Sequence, residues 1–290
     1  MSNPSLTNGN QGSFFGSFYM VMACLCFALM LVFVKFSGQK FAMHTYEITF
    51  WRVLFTLVIL GGLSWIKGRD FRTNYPKEHF WRSLAGSVAL FMNFYVVLHL
   101  PLATASTLQN TSAIFLGLLS IIILKQKPTP ISWISLILGF VGVIILLKPT
   151  AGGDTFAMIL GLVSGAISGY AYLQVRELSL LGEPAWRIVF YLSLLSTIIS
   201  GVLAVFFGFT PINPESLLYI VGTGVTALGG QLLMTYAYQV GQKFVVATLS
   251  YMTVVFAILF GAWLFGERLD WLSLLGIGVI VASGILSGKR

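Results

Sequence analysis

The sequence predicts an all-α membrane protein of ten transmembrane helices, arranged as two inverted five-helix repeats. Three observations carry that prediction. Of the 290 residues, 57% are hydrophobic and only 9% are charged, whereas a soluble domain carries about 25% charge. A chain this apolar needs a bilayer as its solvent. Apolar runs long enough to span a hydrocarbon core recur ten times along it. The second half of the chain also repeats the first at an offset of 141 residues.

A spanning helix needs about 20 mostly apolar residues. The spans read as 15–34, 45–66, 79–98, 103–124, 131–147, 156–175, 186–207, 216–239, 245–265 and 270–287. Charge, Pro or Gly separates them, as in "KFSGQK", "KGRDFRTNYPKE", "KQKPTP", "KPTAGGD" and "GERLD". Residues 1–14 are polar and uncharged, which predicts a disordered tail. They lack the basic start of a secretory signal, so the first apolar run is expected to be a retained span. Cys24 and Cys26 share that run. At i,i+2 they face different directions, which predicts neither a disulfide nor a metal site.

The fourth span contains "TLQNTS", Thr107–Ser112. A loop there would leave too few residues to cross the membrane. The stretch therefore reads as the outer half of a helix, and its repeat mate is "LSYMTV" around Ser250 and Tyr251.

Orientation follows from the bases. Twelve of the 17 Lys and Arg fall in segments that are cytoplasmic if the N-terminus is inside, Arg82 among them. Four, namely Lys35, Lys40, Lys148 and Arg268, fall outside, and Arg52 lies within a helix. This bias predicts a multi-pass protein of the plasma membrane, the bacterial inner membrane, with both termini cytoplasmic. The net charge of +8 is then a topology signal, not a sign of nucleic-acid binding.

The repeat aligns Lys35 with Arg176, Tyr95 with Tyr236, Ser106 with Ala247 and Gln126 with Glu267. "WRVLF" and "WRIVF" also look alike but need a shift of 135 residues. The repeats are expected at 15–148 and 156–287. An odd number of spans per repeat inverts the second copy and puts a substrate site near the midplane between the halves.

The pattern resembles the EamA branch of the drug/metabolite transporter superfamily. The clearest match is "AYQVGQKFVVATLSYMTVVFAILFGAWLFGERLDWLSLLGIGVIVASGIL", in which Gly266-Glu267 and Gly276 fall where the family places them. The first copy, "LPLATASTLQNTSAIFLGLLSIIILKQKPTPISWISLILGFVGVIILLKP", has Gln126 where the acid is expected. The resemblance implies a secondary transporter. Its substrate would be a small polar organic metabolite, an amino acid or related compound, moved by alternating access in the export direction. A multidrug or lipid-carrier translocator of the same superfamily is the alternative.

No chemistry-bearing constellation points to an enzyme. The nine acids all fall in loops or near helix ends, the three histidines lie near helix ends with no second His or Cys at i+3 or i+4, and there is no Walker motif. No cofactor, metal or catalytic residue is expected. The partners expected are a small-molecule substrate and the lipid bilayer, in a monomer or homodimer. Arg52 sits a third of the way into the second span and either faces a substrate anion or pairs with Glu47 at i−5. Polar stripes converge from spans three, four, eight and nine. The substrate-binding candidates are Arg52, Asn93, Tyr95, Gln109, Asn110, Gln231, Tyr236 and Tyr251. Glu267 reads as a cap or ion pair at the last turn, and the Gly161, Gly165 and Gly169 series as a packing face.

Overall fold

The structure is a computed structural model that describes residues 5–123, 130–147, 154–241, 245–246, 249–268 and 270–288. Among the described residues there are helices and no strand. We number them α1 (Ser5–Phe41), α2 (Thr45–Ile66), α3 (Pro76–His99), α4 (Leu102–Asn110), α5 (Ser112–Ile122) and α6 (Pro130–Leu147), followed by α7 (Thr155–Leu180), α8 (Ala185–Phe207), α9 (Pro214–Val240), α10 (Met252–Phe265) and α11 (Trp271–Gly288). Among the described residues, seven stretches are long and apolar enough to cross a membrane, counting α4 and α5 as one; Met252–Phe265 and Leu274–Ser283 are shorter apolar helices.

The sequence expects a disordered tail over residues 1–14, whereas α1 already begins at Ser5. Residues 1–4 lie outside the described residues. Extending a helix costs little once an apolar segment has nucleated it, because each added residue gains a hydrogen bond.

Helix packing repeats with the halves exchanged. α1 lies along α9, and α7 lies along α3 in the same way. α5 packs on α7 and α10 packs on α1; α3 meets α8 and α9 meets α2. Two contacts pair an element with its own repeat mate, α2 with α8 and α6 with α11, while α4 meets α10, the later part of the matching span. A two-fold relation between inverted halves produces this pattern.

The α4–α5 break at Thr111 is a local tightening, not a loop. Thr111 keeps helical dihedrals (φ −58°, ψ −16°), and its N–H donates to both Thr107 O and Leu108 O at 3.2 Å. The Thr111 hydroxyl donates to Leu108 O at 2.6 Å. Close approach of α7 accompanies it, since a Cβ on Gly165 would lie 2.1 Å from Thr111 Oγ1 and 2.8 Å from Leu108 O. Only a glycine fits there. The second half has the same device before α10: Tyr251 sits at φ −64°, ψ −16°. Cys24 on α1 donates its thiol to the Leu249 and Ser250 carbonyls there, at 3.4 and 3.6 Å. Backbone freed inside an apolar bundle must find such partners.

Bulky apolar side chains dominate the outer surface, including Val205, Phe206 and Trp263. Trp65, Trp81, Trp133 and Trp271 are exposed as interface anchors should be. Trp186 is instead buried, with the Arg69 and Arg187 guanidinium groups over its ring.

Candidate functional site

Seven helices enclose a cavity at the junction of the two halves. Its wall takes Phe27 and Met30 from α1, Arg52 from α2, Arg82, Gly86, Ala89, Leu90 and Asn93 from α3, and Gln109 from α4. The second half supplies Ser168, Ala171 and Tyr172 from α7, Leu192 from α8 and Gln231 from α9. The volume is about 50 Å³, far below the roughly 300–1,000 Å³ of an ordinary ligand pocket. The bundle is therefore nearly closed around a polar centre.

Arg52 and Arg82 set the electrostatics of this centre. Each is buried, at 4% and 2% exposure. The Nε of each lacks a hydrogen-bond partner among the described residues. Arg52 lies over the Phe94 ring, 5.6 Å from its centroid. The titratable groups that face it are Tyr172 and Arg82, and Tyr172 also faces Arg82. Tyr172 itself is stacked on Tyr238, with centroids 5.7 Å apart. The proposed Arg52–Glu47 pair does not form: a Glu47 carboxylate oxygen accepts from the Thr210 N–H at 3.2 Å instead.

Four of the eight candidates from the sequence meet at this cavity, namely Arg52, Asn93, Gln109 and Gln231. The other four lie off its wall. Tyr95 stacks on His99 with centroids 4.0 Å apart. Asn110 is buried and donates back to Ser106 O at 2.8 Å. Tyr236 is exposed on the outside of α9 and touches Tyr19, whereas Tyr251 is buried in the apolar core. On a helix, Gln109 and Asn110 are about 100° apart, so one of the pair must turn away from any single cavity.

Arg82 is the wall residue that the sequence reading missed. Counting it as a cytoplasmic base is corrected here: α3 starts at Pro76, so Arg82 is nearly two turns inside the helix. Proximity to a charged segment made it look interfacial. Ser168 and Tyr172 stand at i and i+4 on one face of α7 but lack a charge to single them out.

Both ends of the bundle are tied across the halves. At the end predicted to be outside, Lys35 of α1 pairs with Glu267, which follows α10, and donates to Leu100 O at 3.1 Å. The Glu267 carboxylate also accepts the Leu102 N–H at the start of α4. Glu267 thus joins α1, α4 and α10: of the cap and the ion pair that the sequence suggests it forms an ion pair, and one that reaches beyond the local turn. At the opposite end Glu183 accepts from Thr73 Oγ1 (2.8 Å), Arg187 Nη1 (3.0 Å) and His79 Nε2 (3.2 Å). Gln239 donates to its backbone carbonyl at 2.9 Å. Burial alone would raise the Glu183 carboxyl, but these hydrogen bonds and the Arg187 charge hold it below its usual value.

A buried polar centre walled by both halves and tied shut at each end is what a solute carrier requires. The sequence model of the EamA-like transporter family matches residues 14–148 and again residues 155–288.

The chain belongs to the EamA-like transporter family.

Relatives of this EamA-like protein are transporters by name. It is 28% identical over 282 residues to an "Uncharacterized transporter" of Helicobacter pylori, covering 94% of each chain. A "Riboflavin transporter" of Rhizobium johnstonii is 25% identical, with 98% of this chain and 94% of the relative covered. The "Pseudopaline exporter CntI" of Pseudomonas aeruginosa is 26% identical, with 95% and 96% covered. A crystal structure superposes with a TM-score of 0.68 at 16% identity over 96% of both chains, which shows the same fold. The chain is accordingly a multi-span membrane protein and a small-molecule transporter.

Proposed function

We propose that this protein moves a small polar organic metabolite across the bacterial inner membrane by alternating access, in the export direction. The carrying observation is the cavity itself, whose polar wall draws on α2, α3 and α4 of one half and α7 and α9 of the other. A site shared this way changes sides when the halves rock against each other. At about 50 Å³ it admits no metabolite until one end opens. The Lys35–Glu267 and Glu183 clusters are the contacts that must part.

Arg52, Asn93, Gln109 and Gln231 are the substrate-binding residues we assign, joined by Arg82, Ser168 and Tyr172. Tyr95, Asn110, Tyr236 and Tyr251 support the helices that carry them. The protein is not an enzyme in this reading: its movable part is the bundle, and its driving force is a solute gradient. The two repeats, 15–148 and 156–287, act as the rocking bodies, with both termini cytoplasmic. A multidrug translocator of lipophilic cations fits poorly, because the wall carries two arginines and no acid.

Counterflow in proteoliposomes tests this proposal. Unlabelled metabolite trapped inside should drive uptake of its labelled form. The Gln109→Leu/Gln231→Leu double variant should lose that uptake while keeping its melting temperature. Movement of cationic dyes alone, with no metabolite of any charge exchanged, would sink the metabolite reading. Loading everted against right-side-out vesicles reports the direction.

A further inference from the structure

Two buried arginines share the central cavity and no carboxylate does. All nine acids of the chain lie in described residues, and none is on the cavity wall. Glu47 is engaged at Thr210. Glu78, the acid nearest to Arg82 in sequence, instead faces Glu177. No ion pair between described residues includes Arg52 or Arg82. A buried charge at membrane depth costs several kcal/mol unless an opposite charge meets it, and the described residues supply none to either arginine.

Their placement adds a second constraint. Arg52 stands about two turns from the α2 start at Thr45, and Arg82 about two turns from the α3 start at Pro76. Consecutive spans run in opposite directions, so the guanidinium groups enter the cavity from opposite ends of the bundle. Asn93, Gln109, Gln231 and Ser168 supply uncharged polar groups to the same wall.

Resting on the reading of this cavity as the substrate site, we propose that the substrate is an organic dianion with two separated acidic groups, one held by Arg52 and the other by Arg82. The wall amides and the Tyr172 phenol bind its uncharged body. An ammonium group would find no carboxylate here, so amino acids and cations are poor substrates.

Gly86 positions Arg82 for this task. Helix side chains ordinarily lean toward the N-terminus. Arg82 instead reaches over the following turn: a Cβ built on Gly86 would lie 2.3 Å from its Nη1 and 2.7 Å from Leu192 Cδ1. The missing side chain at Gly86 is the space the guanidinium uses.

The experiment pairs thermal stabilisation of the purified protein with proteoliposome exchange. The probes are succinate, glutarate and adipate, their monomethyl esters, phenyl phosphate, serine and tetraethylammonium. At least one diacid should raise the melting temperature and exchange. Its half-ester should bind at least about tenfold more weakly, because a hydrogen bond to a charged group contributes about 1.5–3 kcal/mol. Arg52→Gln or Arg82→Gln should bring diacid and half-ester to equal affinity, and Arg82→Lys should restore part of the difference. Gly86→Ala should weaken diacid binding with all charges retained. Equal binding of diacid and half-ester by the wild type, or a ratio unchanged in Arg82→Gln, overturns the proposal. So does stabilisation by no diacid, or a preference for phenyl phosphate, which carries its charge at one end. Serine exchange insensitive to both arginine variants overturns the dianion while leaving transport standing. Diacid binding without exchange of any probe sinks transport and leaves the site.

Discussion

The chain contains the same dipeptide twice, Trp51-Arg52 two turns into α2 and Trp186-Arg187 at the start of α8, and the two arginines have opposite surroundings. Arg187 donates to Glu183 at 3.0 Å and to Asp70 O at 2.7 Å, and it lies over Trp186. Arg52 has no carboxylate and faces the cavity. The difference is one of spacing and of depth, since Arg187 is the third residue of α8 and Arg52 the eighth of α2. Glu183, at i−4 from Arg187, lies just ahead of the α8 N-cap, where the non-helical chain brings its carboxylate within 3.0 Å of Arg187 Nη1. Glu47 is at i−5 from Arg52, about 140° around the helix at 100° per residue, and it turns to Thr210 instead. A paired arginine holds structure together, whereas an unpaired one keeps its charge for a ligand.

The largest expected effect comes from unpairing Arg187. Glu183→Gln removes the carboxylate that accepts from Thr73, His79 and Arg187 and should lower stability more than any other change here; chemical denaturation should show it. Arg52→Gln should leave the stability of the empty protein unchanged or higher, since no ion pair is lost, while abolishing exchange. A large destabilisation by Arg52→Gln would break the comparison.

Next in size is a rewiring. Ile48→Glu places a carboxylate at i−4 from Arg52, the spacing that Arg187 enjoys. The variant should fold and lose ligand-induced stabilisation, because Arg52 is then neutralised from within. Retained binding would mean that Arg52 does not serve the ligand.

Acid gives a smaller and graded test. The Glu183 carboxyl is held below its usual 4.5, so the bonds it accepts stabilise the folded state above that pH. They are lost as pH falls through its lowered folded value. Melting temperature should therefore drop below about pH 4.5, and Glu183→Gln should lack that component. The smallest effect is expected at Lys40–Glu215, where both side chains are about half exposed. Surface pairs contribute little, and Glu215→Gln should not change the melting temperature measurably.

Much of the architecture was legible because a bilayer imposes a simple grammar. Apolar length announced the spans, and the repeat announced the two-fold exchange of contacts. Gly161, Gly165 and Gly169 read as a packing face, and they lie against Leu108, Thr111 and Leu116 in the structure. The polar midsection of span four proved to be continuous helix, with a single tightened turn at Thr111. The site was legible only in part. Arg52, Asn93, Gln109 and Gln231 stood out as polar groups at depth. Tyr95 and Tyr236 stood out equally, yet they stack on His99 and touch Tyr19. Polarity at depth marks a group that needs a partner, and it does not say which partner.

The sequence by itself determined the solvent, the helical class, the repeat and the family, because each depends on composition and order along the chain. Tertiary structure alone decided which polar groups share one cavity. It turned Gln109 inward and Asn110 back onto Ser106 O, and it carried Arg82 from a presumed surface to the centre of the bundle. It also set Glu267 against Lys35, 232 residues away in the chain. Charge pairing across helices depends on rotation and depth, and those are fixed only when close-packed glycine faces lock the helices against one another.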